Sequence, residues 1–119
     1  MPALTRVLGA VTAAYSATII AAPRVLAKPC GLTTRDGGVT AGVRTLIAGI
    51  GARDAAIGLA MLLAPAGKPL QVALAARVAS DAADAVVFGT NLPDRAARTK
   101  VAAFAATWAT LCAASALAP

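Results

Sequence analysis

Apolar residues fill four long stretches of this chain, while proline, glycine and most of the charge collect in the gaps between them. The first stretch runs from Leu4 to Ala22, with Arg6 as its single, early charge. Pro23 closes it, because a proline cannot continue a helix. The connection to about Gly42 holds Pro29, Gly31, Gly37 and Gly38 and reads as a surface loop with room for one short interfacial turn. A second stretch covers Val43 to Ala64. The turn Pro65-Ala66-Gly67-Lys68-Pro69 is so short that a third, Leu70 to Phe88, must return antiparallel to it. Gly89 to Pro93 stops the third, and a fourth runs from about Ala96 to Ala118. Each approximates the roughly 20 residues that span a bilayer. The pattern predicts an all-α, single-domain chain over 1–119: an antiparallel four-helix transmembrane bundle with helices at about 4–22, 43–64, 70–88 and 96–118.

The third stretch departs from this pattern at Ala76-Arg77-Val78-Ala79-Ser80-Asp81-Ala82-Ala83-Asp84. On a helix, Arg77, Ser80, Asp81, Asp84 and Phe88 share about 100° of arc. The second stretch carries Arg53-Asp54 near its centre. Counted outward from the short turn, Arg53 and Asp81 lie equally deep, Arg53 is also near Asp84, and Asp54 lies within about one turn of Arg77. Each Arg or Asp at a bilayer centre costs roughly 2.5–3.5 kcal/mol, so five unpaired would cost on the order of 12–17 kcal/mol. Alanine is nearly neutral and cannot offset that. The five must face the interior and pair with one another. Two arginines against three aspartates leave one carboxylate in excess, which calls for a proton, a cation or a polar substrate.

Composition supports a membrane setting. The chain is 59% apolar and 13% charged, against about 25% charged in ordinary soluble domains. Its mean hydropathy is +0.75. A small soluble domain needs much polar surface, and few residues here supply it. A compact, alanine-rich soluble bundle is the competing reading. The net charge of +6 does not point to nucleic acid, since aromatics are only 3% and no binding motif is present. The basic residues sit between the apolar runs instead. Arg6 and Lys68 fall on one side of the expected bundle; Arg24, Lys28, Arg35, Arg44, Arg95, Arg98 and Lys100 fall on the other. The positive-inside rule then places both termini outside the cytoplasm, in a cell (plasma) membrane. The first stretch also matches a signal peptide ending at Ala21-Ala22, but three further apolar stretches favour a retained helix. Its Thr5, Thr12 and Ser16 share a face suited to bonding carbonyls or neighbouring helices.

Histidine is absent and the two cysteines, Cys30 and Cys112, lie far apart. A Ser-His-Asp triad is excluded, and neither a metal site nor a cofactor is expected.

Ala22-Pro23-Arg24, Cys30-Gly31-Leu32, Gly51-Ala52-Arg53-Asp54-Ala55-Ala56-Ile57-Gly58-Leu59 and an aspartate in the third helix together give the chain a family likeness. It resembles the small four-helix bacterial and fungal membrane proteins grouped as a domain of unknown function, the DUF4267 family. The Arg-Asp-x-x-x-Gly element is the most specific part, and Cys30 stands where a bulky residue is usual. The resemblance implies four membrane helices and supplies no activity.

Three functions fit these residues. The first is an accessory or assembly component of a larger membrane complex. The second is a membrane-embedded enzyme of isomerase, cyclase or hydrolase type acting on a lipophilic substrate. There Asp81, Asp84 and Asp54 would be the acid–base residues, and Arg53, Arg77, Tyr15 and Trp108 would contact substrate. Only Tyr15, Phe88, Phe104 and Trp108 are available to line an aromatic pocket. The third is a proton- or ion-coupled carrier using the same aspartates as a relay, which with four helices requires a homo-oligomer. Against all three stands a purely structural salt-bridge lock between the second and third helices. A third helix lying flat on the membrane surface is the remaining alternative.

Overall fold

A computed structural model describes residues 2–118 and is helical throughout, with no strand among the described residues. Four long helices, α1 (Pro2–Ala21), α3 (Ala41–Leu63), α4 (Lys68–Asn91) and α5 (Arg95–Ser115), are joined by loops and one short helix, α2 (Arg24–Ala27). The short helix occupies the place left for an interfacial turn.

Local chemistry sets the boundaries. The Thr40 side chain accepts the Val43 amide and starts α3, and the Asp94 carboxylate accepts the Ala96 amide and starts α5. Helices α3 and α4 end on Ala64 and Leu92, both extended and both followed by proline. Three expected ends move, the simplest being that of α5, which stops at Ser115 rather than near 118. Gly89 does not stop the third long helix; it lies inside α4, where an added Cβ would sit 3.1 Å from Ala102 Cβ. It therefore brings α4 close to α5, and Pro93 is the stop. At the other end Gly67, with φ of 101°, makes the turn itself, so α4 begins at Lys68 with Pro69 in its first turn.

Contacts at the ends fix the directions. The Arg6 guanidinium donates to the Leu62 carbonyl at 2.7 Å, and Thr5 shares a 2.7 Å hydrogen bond with Ser115. The start of α1 thus meets the ends of α3 and α5, and successive long helices run antiparallel. At the opposite end Cys30, Leu92 and Ala97 form a small core that seats the α1–α3 connection on the α4–α5 turn. A larger core of Leu8, Met61, Ala73, Leu74 and Cys112 draws on all four long helices near the first end.

The helices associate as two close pairs, α1 with α3 and α4 with α5. Gly58 sits so close to α1 that an added Cβ would lie 2.8 Å from the Gly9 carbonyl oxygen and 2.8 Å from the Ala13 nitrogen. Both obstacles are backbone and cannot rotate away. Small residues at such seams let the two backbones approach and gain close dispersion contact.

Helices α1 and α3 are long and apolar enough to cross a membrane. Helix α4 carries Arg77, Asp81 and Asp84 mid-length, and two of these, Arg77 and Asp81, are buried. We expect Gly58→Ala to destabilise the fold by about 1–3 kcal/mol through overpacking. Gly49→Ala, where an added Cβ meets nothing within 4 Å, should stay within about 1 kcal/mol of the parent. Denaturant unfolding of both variants in one detergent makes the comparison.

Candidate functional site

The five mid-helix charges assemble into one continuous chain in the order Asp84, Arg53, Asp54, Arg77, Asp81. Arg53 grips Asp84 with both terminal nitrogens, at 3.2 and 2.7 Å, and donates Nε to Asp54 Oδ1 at 2.9 Å. Arg77 grips Asp81 with Nε at 3.0 Å and Nη2 at 2.6 Å. Its remaining nitrogen, Nη1, lies 3.0 Å from Asp54 Oδ1 as an ion-pair contact. The two arginines thus share one oxygen of Asp54, and α3 is tied to α4 at two levels.

The pairing refines the register read from the sequence. Asp81 is one helical turn from Arg77 on the same helix and is held by it, so Arg53 is left with Asp84. Burial grades along the chain. The Arg77 side chain is 1% exposed and that of Asp81 9%, whereas the Arg53 side chain is 37% exposed. Bidentate forks suit this setting, because each satisfies two donors and two acceptors at once.

Beside the cluster, between the α1/α3 pair and the α4/α5 pair, lies a cavity of about 170 Å³. Asp54, Arg77, Asp81 and Asp84 line its charged end, and Tyr15, Phe88, Phe104 and Trp108 line its walls. The chain has one Trp, one Tyr and two Phe, so all of its aromatic side chains converge here. Trp108 is held in place by donating its indole N–H to Thr12 Oγ1 at 3.1 Å, and Thr12 and Ser16 also face the cavity. Val11, Tyr15 and Phe104 line the cavity and are exposed on the outside as well. They sit on α1 and α5, which touch each other far less than either touches its close partner. The mouth therefore opens sideways, between these two helices.

Of the residues singled out from the sequence, Asp54, Asp81, Asp84, Arg77, Tyr15 and Trp108 border this cavity. Arg53 does not; it stands behind Asp84 and Asp54. Ser80, on the same expected stripe, is half-buried and also outside it. Sequence reasoning missed Ala105, whose small buried side chain leaves part of the space open. It also missed the Thr12–Trp108 hydrogen bond, signalled only by the shared face of Thr5, Thr12 and Ser16. No group of three or more Cys, Asp or Glu among the described residues is arranged to hold a metal ion.

No protein-family model, no curated protein and no solved structure matches the chain.

Cys30 is packed against Leu92 and Ala97, and burial pushes its thiol up to about 11. Thiolate is the reactive form, so we expect Cys30 and the equally buried Cys112 to resist maleimide near neutral pH until the fold is denatured. Replacing Arg77 with methionine leaves Asp81 and Asp54 without their buried partner and should cost about 3–5 kcal/mol. Arg53→Met, at the more open end of the chain, should cost less. Thermal and denaturant unfolding of the two variants in the same detergent checks the order.

Proposed function

We propose that this chain is a small integral membrane protein whose cavity binds a lipophilic molecule. The observation that carries this reading is the convergence of every aromatic side chain on one cavity that ends in the paired charges. Ligand sites are mostly apolar with a few placed polar groups. An engineered apolar cavity of about 150 Å³ admits benzene, so this space takes a ring or an alkyl segment. The four aromatics that were the limiting supply for a pocket are all spent on it. That raises the membrane-embedded binding protein or enzyme above the accessory subunit and the ion-coupled carrier.

The membrane setting rests on where charge is missing. Between its two ends the protein exposes Val11, Leu46, Leu59, Val72, Val86 and Phe104 on its sides. The mid-helix charges point inward or, like Arg53, lie half-buried in ion pairs. An apolar surface of this extent suits lipid. On this reading α4 and α5 cross the bilayer alongside α1 and α3, completing a four-helix transmembrane bundle. The mid-helix charge of α4 is no obstacle, because none of it touches lipid unpaired. Helices of 20–24 residues are roughly 30–36 Å long, enough for a hydrocarbon core of about 30 Å. The motif around Arg53 and Asp54 supports kinship with the DUF4267 group. The basic loops assign the α1–α3 connection and the α4–α5 turn to the cytoplasm, with both ends of the chain outside.

The single tryptophan makes the cavity observable. In nanodiscs, 1-bromooctane should quench Trp108 saturably in the parent, whereas Ala105→Leu, which fills the space, should leave only weak, non-saturating quenching. Equal, non-saturating quenching of both proteins would contradict a lipophile site. For orientation, Lys68→Cys should react with an impermeant maleimide from outside intact cells and Lys100→Cys only after permeabilisation. The reverse pattern would invert the topology.

A further inference from the structure

The charge of the cluster does not balance. Asp54, Asp81 and Asp84 bring three carboxylates against the two guanidinium groups of Arg53 and Arg77. The excess falls on the cavity side, because all three carboxylates line the cavity with Arg77, while Arg53 stands behind. Access is graded in the same sense. The Arg77 side chain is 1% exposed and its Nη1 is buried 3.0 Å from Asp54 Oδ1, whereas the side chains of Asp54 and Asp84 are 16% and 18% exposed. A molecule entering the cavity therefore meets carboxylate rather than guanidinium. Both oxygens of Asp84 and of Asp81 are held in the arginine forks. Asp54 serves both arginines through Oδ1, and its Oδ2 accepts no hydrogen bond among the described residues.

The walls suit a cation for an independent reason. Tyr15, Phe88, Phe104 and Trp108 line the cavity, and Tyr15 and Phe104 form a tilted pair at its mouth with ring centroids 6.5 Å apart. Aromatic faces carry negative potential and attract cations most strongly where water is excluded. We propose that the ligand of this cavity is a lipophilic ammonium ion, its N–H donating to Asp54 Oδ2 and its charge offsetting the third carboxylate. The inference rests on the lipophile-binding reading above and names the class of ligand. An uncompensated charge in a low-dielectric interior is costly, so a counter-charge gains more there than a neutral donor. An alcohol can donate the same hydrogen bond but leaves the cluster one negative charge in excess. A carboxylate adds a further negative charge, and an alkane leaves Asp54 open. A zwitterionic headgroup brings a phosphate with its ammonium, which cancels the gain. The hydrocarbon chain lies between the rings and passes through the lateral mouth between α1 and α5 into the lipid.

Competition against 1-bromooctane, read through Trp108 in phosphatidylcholine nanodiscs near neutral pH, tests this with octane, 1-octanol, octylamine and octanoate at matched bilayer mole fraction. An alkylamine is an ammonium ion under these conditions, as lysine is. Octylamine should displace the quencher about ten-fold more strongly than 1-octanol, the low end of what a close, desolvated charge pair contributes. Octanoate should be the weakest of the polar three. Asp54→Asn, which makes the cluster electrically even, should reduce the amine's advantage to about three-fold or less, the share of the aromatic faces alone. If that variant does not fold, the series on the parent protein decides alone. Octylamine no better than 1-octanol would overturn the proposal, a proton then balancing the third carboxylate, and would leave the lipophile site standing. Octanoate displacing best would overturn it in favour of an anion site. An Asp54→Asn protein that keeps the full ten-fold preference would overturn the assigned contact. A failure of 1-bromooctane to quench the parent saturably would remove both this inference and the lipophile site.

Discussion

Five ionisable side chains in the middle of apolar helices set the terms on which this protein folds. In a low-dielectric interior each charge costs several kcal/mol unless a counter-charge and hydrogen bonds meet it. Two forked arginines and three aspartates meet this condition with one arrangement: two bidentate pairs joined through a single oxygen of Asp54. That arrangement demands a particular rotation of α4 about its axis and a particular height against α3. Alanine-rich helices have smooth, similar faces and specify neither. The ion-pair chain supplies the specificity that side-chain shape does not, which is the best-attested use of buried polar groups.

The cavity follows from the pairing of the helices. Glycine seams draw α1 onto α3, and Gly89 draws α4 toward Ala102 of α5. Between the two close pairs contact is sparser, and few large side chains remain to fill what is left. Tyr15, Phe88, Phe104 and Trp108 border that space without closing it. An interior built mostly from alanine thus acquires a shaped hollow with polar groups at one end only. Binding there depends on the cluster keeping its geometry, so folding and recognition share the same residues.

Much of this was legible in the sequence. The four long helices follow from the apolar runs, and the inward placement of Arg77, Asp81 and Asp84 from their shared arc and the cost of exposing them to lipid. The Arg53–Asp84 and Asp54–Arg77 pairings lie within reach of a depth count from Pro65-Ala66-Gly67. What a one-dimensional reading lacks is rotation between helices. It could not show that Arg53 stands behind the cluster rather than beside the cavity. Nor could it show that aromatics on α1, α4 and α5 point into one space. Gly89 misled for a different reason: glycine breaks helices in water, yet inside a close helix pair its missing side chain is what permits contact.

The ion pair between Asp54 and Arg77, together with the Arg53–Asp84 fork, joins the two helix pairs. A double-mutant cycle with Asp54→Asn and Arg77→Gln, read as unfolding free energy in lipid nanodiscs, measures it directly. We expect the Asp54–Arg77 pair to show a coupling of about 0.5–3 kcal/mol, the range seen for residues within one ion-pair network. Effects that add to within about 0.5 kcal/mol, as for independent sites, would contradict it, and the cluster would then be no more than neighbouring charges.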